Sequence, residues 1–320
     1  MENTTLTNQQ ESRARQMEAL RRHLGTDLLK HLEDKTVVEI MLNSDGRLWV
    51  DMIGDGMHEV GAIDPIRSLA IINSVAALHS QVVTLTQAIL ECELPVDGSR
   101  FEALIPPLVA QPIFTIRKKA LLIFTLDDYL SKEIITPGQK QVIEDAVLER
   151  KNILVAGGTG TGKTTLANAI LHAVSDLDPE HRIVIIEDTQ ELQCAARNVS
   201  FLRTSEEADM TRLLRATMRL RPDRIVVGEV RDGSALALLK AWNTGHPGGV
   251  GTVHANSASA ALVRIGQLIQ EAGVPPNPDL IAEAVNVVVS IKRTLSGRVV
   301  DEIAVVNGYE NGKFIIEKIG

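Results

Sequence analysis

Asn152-Ile153-Leu154-Val155-Ala156 runs without a break into Gly157-Gly158-Thr159-Gly160-Thr161-Gly162-Lys163-Thr164-Thr165, and this stretch decides the fold. It satisfies G-x-x-x-x-G-K-[ST] with an apolar run before it and a helix-patterned segment after it, the strand-to-helix context that the motif requires. Four glycines within residues 157–162 would weaken an ordinary element, so their use lies in the backbone geometry they permit. A curled backbone lets amide N–H groups converge on a β-phosphate at a helix N-terminus, where the helix dipole also favours an anion. Gly158, Thr159, Gly160, Thr161 and Gly162 are expected to form that cradle. Lys163 is expected to reach the β- and γ-phosphates, the Thr164 hydroxyl to ligate Mg²⁺, and Thr165 to help hold the α-phosphate of ATP.

Working outward, residues 183–186, 225–227 and 250–253 are further apolar runs, each too short for a helix and separated from the next by helix-patterned sequence. Buried parallel strands alternating with helices explain them, which predicts an α/β class. Two of the runs end in carboxylates, at Glu187-Asp188 and at Gly228-Glu229. In a parallel sheet both ends open onto the crevice that holds the loop. A carboxylate there can bind Mg²⁺ or orient and deprotonate a water, which nominates Glu187 and Glu229; Asp188 reads equally well as a helix N-cap. The third run is bracketed by His246 and His254. A histidine at such a strand end can hydrogen-bond a γ-phosphate, while either one read alone is as readily a structural or surface residue. His-x₇-His without a nearby cysteine is not a zinc spacing.

The rest of the chain divides around this core. Residues 14–34 carry Met17, Leu20, Leu24, Leu28 and Leu32 at helical spacing. Arg13, Arg15, Arg21 and Arg22 near its start suit either a solvated face or contact with an anionic membrane surface. Two β-rich segments flank Asn43-Ser44-Asp45-Gly46 as a hairpin, a helix is predicted between Pro65 and His79, and strands are predicted at residues 89–93, 100–105 and 113–117. Residues 14–128 therefore read as an N-terminal α+β domain, 129–138 as a linker with turn signals, and 139–320 as the nucleotide domain closing with a hairpin around Asn311-Gly312. Residues 1–13 are polar, are expected to be disordered, and lack the apolar region of a secretory signal, which points to the cytoplasm.

Composition narrows the classes. At 320 residues the length favours two domains, and no apolar run approaches the roughly 20 residues that span a bilayer. The two cysteines, Cys92 and Cys194, lie far apart and are expected to be small buried residues. A net charge of −8 and 3% aromatics oppose broad electrostatic binding of nucleic acid and base stacking. Direct nucleic-acid binding is thus expected to be weak or absent.

Taken in order, GGTGTGKTT, VIIEDTQEL, RPDRIVVGEVRD and TGHPGGVGTVHANS resemble the four boxes of the secretion and pilus traffic ATPases, the GspE and PilT superfamily. DGSRFEALIPP, TIRK, IFTLDDYL and LRATMRLRPDRIVVGEVRD are most similar to its conjugative type IV secretion branch. The resemblance covers roughly residues 35–305. It implies a RecA-like C-terminal P-loop domain joined to a smaller N-terminal α+β domain, ATP held between the two, and a homo-oligomer, a hexameric ring. It implies that Glu229 matches the Walker B glutamate, a general base, and Glu187 the Asp-box glutamate that supports Mg²⁺ and water. His254 and His246 match the His box. Arg100 and Arg117 match arginines lent to the phosphates; Arg203, Arg221 and Arg231 are weaker candidates of the same kind. A guanidinium that meets the γ-phosphate only in a closed ring would make hydrolysis depend on closure; a surface ion pair is the plain alternative. The missing tetracysteine module separates the chain from many GspE proteins.

The expected function is an ATP-hydrolysing motor, peripheral at the cytoplasmic face of the inner membrane, working with secretion-channel proteins in pilus assembly and DNA or protein transfer. A pilus extension or retraction ATPase is the near alternative. A nucleotide-gated scaffold and a RecA-like DNA translocase are alternatives of other classes.

Overall fold

In the computed structural model, which describes residues 2–53, 55–118, 124–205, 207–294 and 297–319 with side chains from residue 10 onward, the chain divides into two units, Met1–Leu122 and Ile123–Gly320. The first unit runs α1 (Glu2–Glu33), β1 (Val37–Leu42), β2 (Arg47–Met52), β3 (Gly56–Ala62), α2 (Pro65–Leu78), β4 (Ile89–Glu93), β5 (Arg100–Leu104) and β6 (Ile113–Arg117). Its strands form an antiparallel sheet in the order β3-β2-β1-β6-β5-β4. Leu20, Leu24, Leu28 and Leu32 of α1 are buried against the same core as Ile71, Ile72 and Val75 of α2 and the inward face of the sheet. That shared burial explains the leucine stripe.

Helix α1 begins at Glu2, within the residues 1–13 expected to be disordered; residue 1 lies outside the described residues. The helix bends at Gly25, where φ is 65°. Arg67 braces the bend by donating to the carbonyls of His23 and Leu24 and pairing with Asp27. That guanidinium holds the Asp27 carboxyl below its ordinary range. Arg13, Arg15, Arg21 and Arg22 are all exposed.

The second unit runs α3 (Leu126–Ser131), α4 (Pro137–Leu148), β7 (Ile153–Gly157), α5 (Lys163–Leu177), β8 (Ile183–Glu187), β9 (Val199–Arg203), α6 (Met210–Thr217), β10 (Arg224–Val230), α7 (Ala235–Asn243), β11 (Val250–His254), α8 (Ala258–Glu271), α9 (Pro278–Ala284), β12 (Val287–Thr294), β13 (Gly297–Glu310) and β14 (Lys313–Ile319). The sheet order is β14-β13-β12-β7-β11-β10-β8-β9, parallel from β12 to β9 and antiparallel at the β13-β14 end. Leu154 and Ala156 of β7 pack with α7, α8 and α9 on one face, whereas Ile153 and Val155 pack with α4 and α5 on the other. Alternate side chains thus serve two cores, which is why these strands are continuously apolar.

Residues 129–138, expected to be a linker, belong to this unit. Tyr129 and Ile135 are buried in its core beside Leu126. Capping boxes at Thr125/Asp128 and Thr136/Gln139 start α3 and α4, and the Gln139 amide donates to the Val300 carbonyl. The turn signals therefore mark helix starts inside a packed layer. Strands β3, β9 and β12 lie outside the sequence-based expectations. Both cysteines are partly rather than fully buried; burial still pushes the Cys92 thiol up to about 12, so it stays protonated at neutral pH.

Asn152 fastens the starts of three strands. Its side chain accepts from Gly249 N at 2.9 Å and donates to the Ala284 carbonyl at 2.7 Å, while its own N–H donates to Asn286 at 2.8 Å. Asn152→Ala strands a buried amide and a buried carbonyl, so it is expected to cost roughly 2–4 kcal/mol, read as a lowered denaturant midpoint.

Candidate nucleotide-binding site

The loop follows β7 and feeds α5. Gly160 and Gly162 have φ of 68° and 97°, the left-handed region that a side chain would strain. At Gly157 the demand is spatial: a Cβ there would lie 2.5 Å from Thr161 Oγ1 and 2.6 Å from the Ile291 carbonyl oxygen. Thr161 instead donates to the Gly158 carbonyl at 2.9 Å and closes the loop on itself. No side chain caps the N-terminus of α5, and such an uncapped helix start suits an anion. Lys163 Nζ reaches over the loop to the Gly158 carbonyl at 3.0 Å. Thr164 and Thr165 occupy the first turn of α5 behind it.

Sheet register then sets the acids. Strands β8 and β10 are neighbours with Ile186 opposite Val227, so Glu187 ends β8 beside Gly228. Between β10 and β11 the register runs Val227↔Gly251 and then Val230↔Val253, which inserts one extra residue on β10 at Gly228-Glu229. Such a bulge re-aims a strand-end side chain. The carbonyl it displaces is satisfied, because Thr252 donates its hydroxyl to the Gly228 oxygen at 2.7 Å. Glu229 is half-buried at this bulge. His254 ends β11 directly opposite Gly157 and is exposed.

Glu187 is 5% exposed, and Oε1 accepts from the N–H groups of Glu191 at 3.1 Å and Leu192 at 2.9 Å. It therefore shapes the segment after β8, and Gly228 makes room for it: a Cβ at 228 would lie 2.8 Å from Glu187 Cγ. The segment so shaped delivers Glu191, whose Oε2 accepts from the Thr164 hydroxyl at 3.3 Å. Sequence reasoning missed Glu191, although it lies within the quoted VIIEDTQEL. Thr164 and Glu191 form an oxygen pair that suits Mg²⁺, an ion that takes one or two protein oxygens and fills its remaining positions with phosphate and water. Asp188 caps no helix; it accepts from Thr204 at 2.7 Å and pairs with Arg231.

His246 does not join this group. It precedes β11, whereas the loop lies at the carboxyl ends of the parallel strands, so the length of β11, about 16 Å for a five-residue strand, separates it from the loop edge. Arg221 likewise lies before β10, at the same far edge. Arg203 ends β9 opposite Glu187.

Arg100 and Arg117 are brought together in the first unit. They face each other across β5 and β6, with Glu39 opposite Arg117 and Glu93 opposite Arg100. Directly paired residues share a face, so Glu39, Arg117, Arg100 and Glu93 form one row, opposite in face to the buried Ile40, Ile116 and Phe101. Burial raises the Glu39 carboxyl pKa, and the Arg117 charge pulls it the other way.

Residues 25–305 match the family described as Type II/IV secretion system protein. The chain is 51% identical over 307 residues to a probable conjugal transfer protein TrbB of Sinorhizobium fredii, covering 96% of this chain and 94% of that one. It is 49% identical to the conjugal transfer protein TrbB of Rhizobium radiobacter, covering 96% and 95%. Among solved structures, the Legionella pneumophila ATPase DotB shares the fold with a TM-score of 0.61 at 20% identity, covering 87% of this chain and 79% of that one.

Proposed function

Because the chain belongs to the Type II/IV secretion system protein family, we propose that it hydrolyses Mg-ATP to ADP and phosphate as the motor of a conjugative type IV secretion system. The observation that carries the reading is the meeting of a phosphate loop, a re-aimed Glu229 and the Thr164–Glu191 oxygen pair at one edge of one sheet. The loop amides and Lys163 hold the β- and γ-phosphates. Thr164 and Glu191 would hold Mg²⁺, which would supply charge neutralisation for the triphosphate. Glu229 orients and deprotonates water as general base, while Glu187 holds the segment that presents Glu191. His254, beside Gly157, is the partner for the γ-phosphate. Arg100 and Arg117 add charge that the transition state needs, and the subunits act as a ring, a hexamer, peripheral to the cytoplasmic face of the inner membrane with channel proteins as partners. Among the described residues no helix is long and apolar enough to cross a membrane.

ATPase rate measured against protein concentration alongside particle mass tests this reading. Specific activity that rises as the ring assembles is expected; a rate per subunit independent of assembly contradicts shared sites. Arg100→Ala and Arg117→Ala are each expected to lower kcat by about a hundredfold, with KM moving less than about threefold. A pure KM effect would make them ground-state binders.

The TrbB relatives favour conjugative transfer over pilus retraction.

A further inference from the structure

The hairpin of β12 and β13 presses on the phosphate loop from the side away from the acids. In the sheet order β12-β7-β11-β10-β8, Glu187, Glu229 and His254 all lie on strands to one side of β7, and β12 lies on the other. From that other side the Ile291 carbonyl limits Gly157, and Arg298 of β13 lies on Gly162: a Cβ at 162 would lie 3.1 Å from Arg298 Cδ and 3.3 Å from Nε. Arg298 is exposed and stands opposite Arg293 in the β12–β13 register. Burial raises the pKa of the Tyr129 phenol in α3, and the Arg298 charge pulls it back.

Arg298 approaches Gly162 along the direction of its absent side chain. With its γ end directed at the acids, a triphosphate would carry its nucleoside toward the other side of β7, where β12 and β13 lie. A guanidinium is planar, weakly hydrated and suited to stack on an aromatic face, and a purine presents such a face.

We propose that Arg298 binds the adenine base of the nucleotide, its side chain laid over Gly162 so that the guanidinium stacks on the purine. The inference rests on the nucleotide-binding reading above and adds a base-recognising residue to it. The contact serves ATP and ADP equally, so it is a binding residue with no part in the chemical step.

Calorimetric titration of the full chain with Mg-ADP and with inorganic tripolyphosphate tests it. Arg298→Ala is expected to weaken ADP about tenfold, the size of a desolvated cation–π contact, while tripolyphosphate affinity stays within about twofold of the unsubstituted protein. Arg298→Lys is expected to recover only part of the loss, because an ammonium lacks the planar face. Equal losses for ADP and tripolyphosphate would make Arg298 a phosphate ligand and overturn the proposal, as would unchanged ADP affinity. An unsubstituted protein that binds neither ligand defeats the nucleotide site itself, an outcome separate from a base contact that fails alone.

Discussion

Glu229→Gln is expected to keep binding Mg-ATP while steady-state hydrolysis falls by about a hundredfold to ten-thousandfold, the range lost with a general base. The amide preserves the size of the side chain at the β10 bulge and retains hydrogen-bonding capacity, so the fold and the Thr252–Gly228 hydrogen bond are left in place. What disappears is the ability to take a proton from the attacking water. Paired measurements of nucleotide affinity and phosphate release read this directly. Hydrolysis within threefold of the unsubstituted rate would move the base elsewhere, with Glu187 as the next candidate. Glu187 is the weaker choice on geometry, because its Oε1 is already committed to two backbone amides.

Lys163→Ala is expected to abolish measurable turnover and to weaken ATP by about a hundredfold or more, since the one charge within residues 157–165 is lost and with it a charge-assisted contact to the phosphates. The Lys163 ammonium lies over the loop at the Gly158 carbonyl, within the span where β- and γ-phosphates would sit. Alanine is a strong helix former and Lys163 opens α5, so the helix itself is kept. Unchanged steady-state activity would contradict the site. Retained affinity with lost turnover would confine Lys163 to the transition state.

The loop could be read from the chain because its requirements are local. Gly160 and Gly162 need positive φ, Lys163 and Thr164 need a fixed offset from them, and a short apolar run must precede. The acids were legible for a similar reason: an apolar run buried on both sides is interrupted where a carboxylate enters it, at Glu187 closing β8 and at Gly228-Glu229 one residue before β10 ends at Val230. Strand β12 is equally apolar, yet it follows α9 so closely that periodicity alone does not separate the two. Strand β3 is largely exposed at the sheet edge and carries little apolar signal. The turn signals around 129–138 misled because a capping box looks the same whether its helix lies in a linker or on a core.

His246 and His254 show the limit most clearly. They share one motif, and sequence distance gave no reason to separate their roles; the direction of β11 puts one beside Gly157 and the other at the opposite edge. The Thr164–Glu191 contact, the bulge that turns Glu229, the row that joins Arg100 to Arg117 and the reach of Arg298 onto Gly162 all join residues distant in the chain. The sequence by itself determined the phosphate loop, the α/β class and the two strand-end acids, because each follows from dihedral limits and burial within a few residues. Only the tertiary structure decided which side chains meet around that loop, because register between strands is fixed by hydrogen bonds and packing across the whole sheet.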